Sequence, residues 1–143
     1  MTDVPTATDA EVRAEQAYLD HAHRCLAAMR DRFEAGLPKD SVIFGSGALR
    51  LPKTSNFALP GLAAETAVIA MDLEGVCVSS GAACSSGKVR SSRVLAAMGV
   101  APDLAKGALR VSFGHESKEG DVDEALNALA KVAARRRVSE AAA

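Results

Sequence analysis

The chain has 143 residues and a formal net charge of −1. That length suits one domain with a modest core, and the near-neutral balance supplies no strong field for nucleic acid or a membrane surface. The aromatic side chains Tyr18, Phe33, Phe44, Phe57 and Phe113 are too few and too scattered to build a base-stacking platform.

Residues 1–8 read as a disordered N-terminus. Asp9 is placed to cap a helix over 10–35, the opening element of a domain spanning 9–138. Its apolar positions, Ala14, Ala17, Tyr18, Ala22, Cys25, Leu26, Met29 and Phe33, together with His21, recur at three- and four-residue spacing. Gly36 ends this helix, with Pro38 beyond it. A short strand follows at 41–44, then a Gly-Ser-Gly turn at 45–47 and a second strand at 54–59, broken by Pro60 and Gly61. The next helix covers 63–73, with Glu65 in its first turn, where a carboxylate meets the positive dipole end, and Gly75 as its stop.

Residues 76–79 read as a strand entering a run of Ser, Gly and Ala. A helix at 92–98 is ended by Gly99, and 104–106 adds a helical turn. In the strand at 108–113, alternation sets Leu109, Val111 and Phe113 on one face and Arg110 and Ser112 on the other. Ser117 is placed to cap a long helix to about residue 137, and the tail 139–143 is expected to fray. Strands and helices mix without a regular βαβ repeat. The expected fold is α+β: a small, mostly antiparallel sheet covered on one face by helices, with a long N-terminal helix.

The chain has three cysteines, Cys25, Cys77 and Cys84. An odd, low count argues against a disulfide scaffold and for a reducing compartment. Cys77 and Cys84 are too far apart for a C-x-x-C redox or zinc pair. Residues 1–10 carry Asp3 and Asp9 and no apolar core, so no signal peptide is read there. No apolar stretch is long enough to span a bilayer. A cytoplasmic location, without nucleic-acid or membrane partners, is the expectation.

Cys84 stands in Cys77-Val-Ser-Ser-Gly-Ala-Ala-Cys84-Ser-Ser-Gly-Lys88. Small neighbours leave a thiol uncovered, and the loop lies between a strand and a helix, a common position for working residues. A reactive thiol needs cations or helix-end amides to reach its thiolate form, and Lys88, Arg90 and Arg93 follow closely. The plain alternative is a chance cysteine in a loop. Cys77, in the run Val76-Cys-Val78, and Cys25, on the stripe of the first helix, read as small packing residues. Arg110 is placed either to grip a carboxylate bidentately or to sit on a solvated sheet face. His21 and His23, two apart on a helix, do not form a metal pair. His115 reads as a loop residue, and Arg135-Arg-Arg137 as a solvated helix end that complements the dipole.

Two segments come close to phosphate-loop patterns. Gly81 to Lys88 has one residue too many between its glycines for a P-loop, and Val89 stands where Ser or Thr binds magnesium. Cys84-Ser-Ser-Gly87-Lys-Val-Arg90-Ser91 fits C-x-x-G-x-x-R-S, the pattern of cysteine-dependent phosphatases, but Ala83 replaces the histidine of that family.

Three longer segments carry a more extensive resemblance. They are Arg50-Leu-Pro-Lys-Thr-Ser-Asn-Phe-Ala-Leu-Pro-Gly61 with the helix after it, Glu74-Gly-Val-Cys-Val-Ser-Ser-Gly-Ala-Ala-Cys-Ser-Ser-Gly87, and Gly107-Ala-Leu-Arg-Val-Ser-Phe-Gly114 with the acidic helix after it. In this order they resemble the C-terminal, small domain of cysteine desulfurases, class V aminotransferases of pyridoxal-phosphate fold type I. The resemblance implies that Cys84 is the mobile-loop nucleophile that becomes a persulfide and passes its sulfur to an acceptor protein, such as an iron–sulfur scaffold. It implies that Arg110 binds the carboxylate of the substrate L-cysteine.

The departures are equally specific. Lys53 stands where the family usually has Asn, and His115-Glu116 is less usual. Pyridoxal 5'-phosphate belongs to the intact enzyme and is held there by a large preceding domain. None of Lys39, Lys53, Lys88, Lys106, Lys118 and Lys131 follows a histidine as the family's Schiff-base lysine does. The chain alone is therefore expected to bind no cofactor and to be inactive in isolation, with a separate cofactor-domain chain as one partner. A non-catalytic sulfur-relay or assembly module is the alternative.

Overall fold

The structure, a computed structural model, describes residues 8–80 and 92–141, with side chains up to residue 136. The elements are α1 (Asp9–Ala35), β1 (Val42–Ile43), β2 (Thr54–Ala58), α2 (Ala64–Leu73), β3 (Ser79–Ser80), α3 (Arg93–Ala97), α4 (Pro102–Lys106), β4 (Ala108–Ser112) and α5 (Glu119–Ala141). The strands form one sheet in the order β1-β2-β4-β3, and all its pairings are antiparallel. The α+β expectation, with a small antiparallel sheet and a long N-terminal helix, holds.

Period-two alternation sorts the sheet into two faces. Ser55 pairs with Val111 and Phe57 with Leu109, on the face covered by α1, α2 and α5. There Phe33, Ala67, Met71, Val122 and Leu129 close the main core around them. Thr54 pairs with Ser112, Asn56 with Arg110 and Ala58 with Ala108, on the other face. A smaller cluster of Phe44, Ala58, Leu95, Ala105 and Ala108 covers only one end of it, under α3 and α4. The rest of this second face carries polar side chains.

The apolar stripe of α1 is covered only near its C-terminal end. Phe33 is its buried residue, whereas Val12, Tyr18 and Leu19 are exposed. A 27-residue helix runs for about 40 Å, far beyond five-residue strands of about 17 Å, so its first turns have no sheet beneath them. Cys25, expected to pack, is exposed and lies 3.6 Å from the Nε2 of His21. The cap is Thr8, one residue ahead of Asp9. Its hydroxyl accepts the Glu11 amide, and its own amide donates to the Glu11 carboxylate at 2.7 Å. That second bond holds the Glu11 carboxyl below the usual carboxylate range.

Two further boundaries differ for identifiable reasons. The strand expected at 76–79 is confined to Ser79–Ser80. Gly75 turns with a φ of 83°, and the Val76 amide donates back to the Met71 carbonyl, closing α2. α5 starts at Glu119 rather than after a Ser117 cap. The Ser117 hydroxyl instead accepts the Gly114 amide, and Asp121 accepts that of Lys118. The helix then continues to Ala141, past the expected end near 137.

The basic run on α5 is no simple solvated end. The Arg136 side chain is 8% exposed; it pairs with Asp40 at 2.5 Å and donates to the Pro60 carbonyl. Arg135 and Lys131 both pair with Glu74, at 2.7 and 2.6 Å, tying α5 to the end of α2. The Lys131 hydrogen bond leads in holding the Glu74 carboxyl below its ordinary pKa.

Gly107, between α4 and β4, is required by close approach. A Cβ there would lie 2.6 Å from the Leu62 carbonyl oxygen. Gly107→Ala is expected to cost about 1–3 kcal/mol by overpacking against backbone. Thermal unfolding should show a midpoint lower by roughly 3–10 °C; an unchanged midpoint would refute the contact.

Candidate functional site

Arg110 sits mid-β4 on the open face, half-buried, directly between Asn56 of β2 and Ser79 of β3. Directly paired residues in antiparallel strands project from the same face, so the three form a polar row across the sheet. Next along the strands, the Thr54 and Ser112 hydroxyls bond each other at 3.3 Å. On the opposite side of the row lie Ala58 and Ala108, at the edge of the smaller core cluster. Among the described residues the Arg110 side chain has neither a hydrogen bond nor an ion pair. The amide oxygen of Asn56 is buried and unpartnered. The row thus sets a planar cation, which can donate to a carboxylate, beside an amide oxygen that lacks a donor.

Asn56 was not singled out from sequence. Alternation with the buried Phe57 places it on the outer face, and the strand register sets it opposite Arg110. The ion-pair network around Glu34 was missed as well. Arg50 grips the Glu34 carboxylate bidentately at 2.7 and 3.0 Å, and the Ser55 hydroxyl donates to the same carboxylate at 2.7 Å. Burial pushes the Glu34 carboxyl up. The bonds from Arg50 and Ser55 and the charges of Arg50 and Arg30 outweigh it, so its pKa lies below the ordinary value. This network ties α1 to the first residues of β2.

Cys84, with Lys88 and Arg90 after it, lies outside the described residues. The strand before it ends at Ser80, and after it the Ser92 hydroxyl accepts the Leu95 amide to cap α3. Cys77, expected to pack, is exposed instead. It lies in a groove of about 230 Å³ lined by Val68, Ile69, Asp72, Leu73 and Val78, its sulfur 4.0 Å from the Asp72 carboxylate. His115 is exposed on its loop, 4.0 Å from Glu116. Lys53 is exposed, and its backbone carbonyl accepts the Phe113 amide.

The two grooves among the described residues do not fit pyridoxal phosphate. No lysine lines the Cys77 groove or the second groove, which is formed by Gly36, Pro38, Leu126 and three alanines. Lys106 and Lys131 are paired with Asp103 and Glu74. Among the described residues no three metal-ligating side chains cluster, and no helix is long and apolar enough to cross a membrane.

Comparison with known proteins assigns the class first. The chain belongs to the class-V aminotransferase family, whose profile matches residues 12–125. Within that family it is similar to curated cysteine desulfurases. It is 36% identical over 140 residues to a cysteine desulfurase of Gluconacetobacter diazotrophicus, covering 94% of this chain and 35% of that protein. It is 35% identical to an IscS-like cysteine desulfurase of Mycobacterium tuberculosis, covering 98% of this chain and 36% of that protein. The chain thus spans about a third of the length of these relatives. Among solved structures, a NifS-like protein from Rickettsia africae superposes with a TM-score of 0.67 at 27% identity, over 77% of this chain and 28% of that one. A second NifS-like protein gives 0.71 at 25% identity, over 87% of this chain and 31% of that one.

Proposed function

We propose that this chain supplies the sulfur-accepting thiol and the carboxylate-binding arginine of a cysteine desulfurase. In this reading a separate pyridoxal-phosphate domain completes the enzyme. The observation that carries this reading is the Asn56–Arg110–Ser79 row. It presents a guanidinium with no partner among the described residues on the open face of the sheet, in a chain of this family. Arg110 takes the carboxylate of L-cysteine, and Cys84 takes its sulfur. The balance is L-cysteine plus the Cys84 thiol giving L-alanine plus a Cys84 persulfide. Carbon is reduced and the two sulfurs are oxidised. Breaking the carbon–sulfur bond is the chemistry of the cofactor. The persulfide then passes to an acceptor protein of the iron–sulfur assembly type.

The test uses the purified full chain. Incubated with an active desulfurase and L-cysteine, it is expected to gain one sulfur on Cys84 by mass spectrometry, removable by a thiol reductant. Cys84→Ser should gain none. Given only pyridoxal phosphate and L-cysteine, the chain is expected to form no alanine. An unmodified Cys84 in the first reaction would refute its role as acceptor, and alanine formed by the chain alone would refute the division of labour.

A further inference from the structure

Asn56 offers more than its place in the row. Buried polar atoms in folded proteins are nearly always paired, yet its amide oxygen is buried and has no donor. Nothing in the packing requires an amide here. The next residue of β2 on the same face is Ala58, in a cluster with Phe44 and Leu95, so an apolar side chain would suit the position. The hydroxyls of Thr54 and Ser112, next along the row, are engaged with each other.

The donor in register is Arg110. Side chains directly opposite in an antiparallel pair stand about 5 Å apart at Cβ, a gap that an arginine spans by a change of rotamer. A guanidinium carries five N–H donors in a rigid plane, and a bidentate carboxylate engages two of them. We propose that Asn56 is a positioning residue for Arg110: its amide oxygen accepts one N–H from the β2 side and fixes the plane of the guanidinium. The fork then points away from the sheet, toward the substrate carboxylate. This rests on the reading of Arg110 given above. Asn at 56 suits that task better than Asp, because a carboxylate would capture the fork itself and compete with the ligand.

The full chain is titrated with L-alanine, the carboxylate-bearing product, and the backbone amides of Asn56, Ser79 and Arg110 are followed by NMR. A saturable shift is expected in the native chain and none in Arg110→Ala. Asn56→Ala should raise the apparent Kd about tenfold, the scale of one hydrogen bond to a charged group, and Asn56→Asp should raise it further. The thermal midpoint of Asn56→Ala should stay level or rise, because an unsatisfied buried amide has been removed; Asn56→Ser serves if the alanine variant fails to fold. An unchanged Kd in Asn56→Ala, with binding lost in Arg110→Ala, overturns the role of Asn56 and leaves that of Arg110 standing. A midpoint that falls along with affinity makes Asn56 structural and also overturns it. Binding that survives Arg110→Ala, or no saturable shift in the native chain, overturns both.

Discussion

Phe33→Ala is expected to destabilise the chain by about 3–5 kcal/mol, the usual cost of emptying a fully buried phenylalanine site. Phe33 is 0% exposed, and its ring meets Phe57 at 5.6 Å and Phe113 at 5.9 Å, both edge to face. Such pairs add about 0.5–1.5 kcal/mol each beyond the area they bury. The three rings come from α1, from β2 and from the residue after β4, so one truncation loosens a helix and both central strands together. For a chain of this length a total stability of about 7–15 kcal/mol is ordinary, and the loss would take a large fraction of it. Urea unfolding of Phe33→Ala beside Tyr18→Ala provides the check. Tyr18 is 67% exposed, and its removal should stay within about 0.5 kcal/mol. Equal losses in the two variants, or a loss under about 1 kcal/mol at Phe33, would refute this account of what holds α1.

The same residue shows what was legible in the sequence. The stripe on α1 correctly included Phe33, and alternation in β4 correctly separated Leu109, Val111 and Phe113 from Arg110. Periodicity reports which residues share a face, and that is sufficient wherever the face is covered. It does not report how far the covering extends. That is why Cys25, on the same stripe two turns before Phe33, is exposed, and why Tyr18 is exposed as well. Strand pairing is the other missing quantity. Asn56 and Arg110 are 54 positions apart in the chain, and no local pattern sets them in register. Arg136 shows the same limit with charge, since a basic helix end reads as solvated until a distant Asp40 is brought to it. Arg110 stands out in the sequence because a cation in the middle of a strand is locally anomalous, and Cys84 because its neighbours are all small. Asn56 and Glu34 carry no local anomaly.

Glu34 leads to the second large effect. Its side chain is 11% exposed, that of Arg50 19%, and Ser55 is fully buried. Arg50→Ala would leave the carboxylate with the Ser55 hydroxyl and the more remote charge of Arg30. Removing one partner of a largely covered ion pair should cost about 2–4 kcal/mol at neutral pH. The pH dependence has a definite sign. Because the folded pKa of Glu34 lies below its ordinary value, the ionised carboxylate stabilises the fold at any pH above the unfolded pKa of about 4.3. That contribution is lost as pH falls through the folded value. Denaturant unfolding of the native chain and Glu34→Gln should therefore show a stability gap at neutral pH that narrows on acidification below about 4. A gap that stayed constant or widened would refute the assignment. The consequence reaches the site as well. The Glu34 network holds Ser55, one residue from Asn56, and a one-residue slip of β2 would turn Asn56 from the face of Arg110 to the core. Arg50→Ala is therefore expected to weaken the carboxylate binding proposed at Arg110 in addition to lowering stability, although Arg50 lies outside the row.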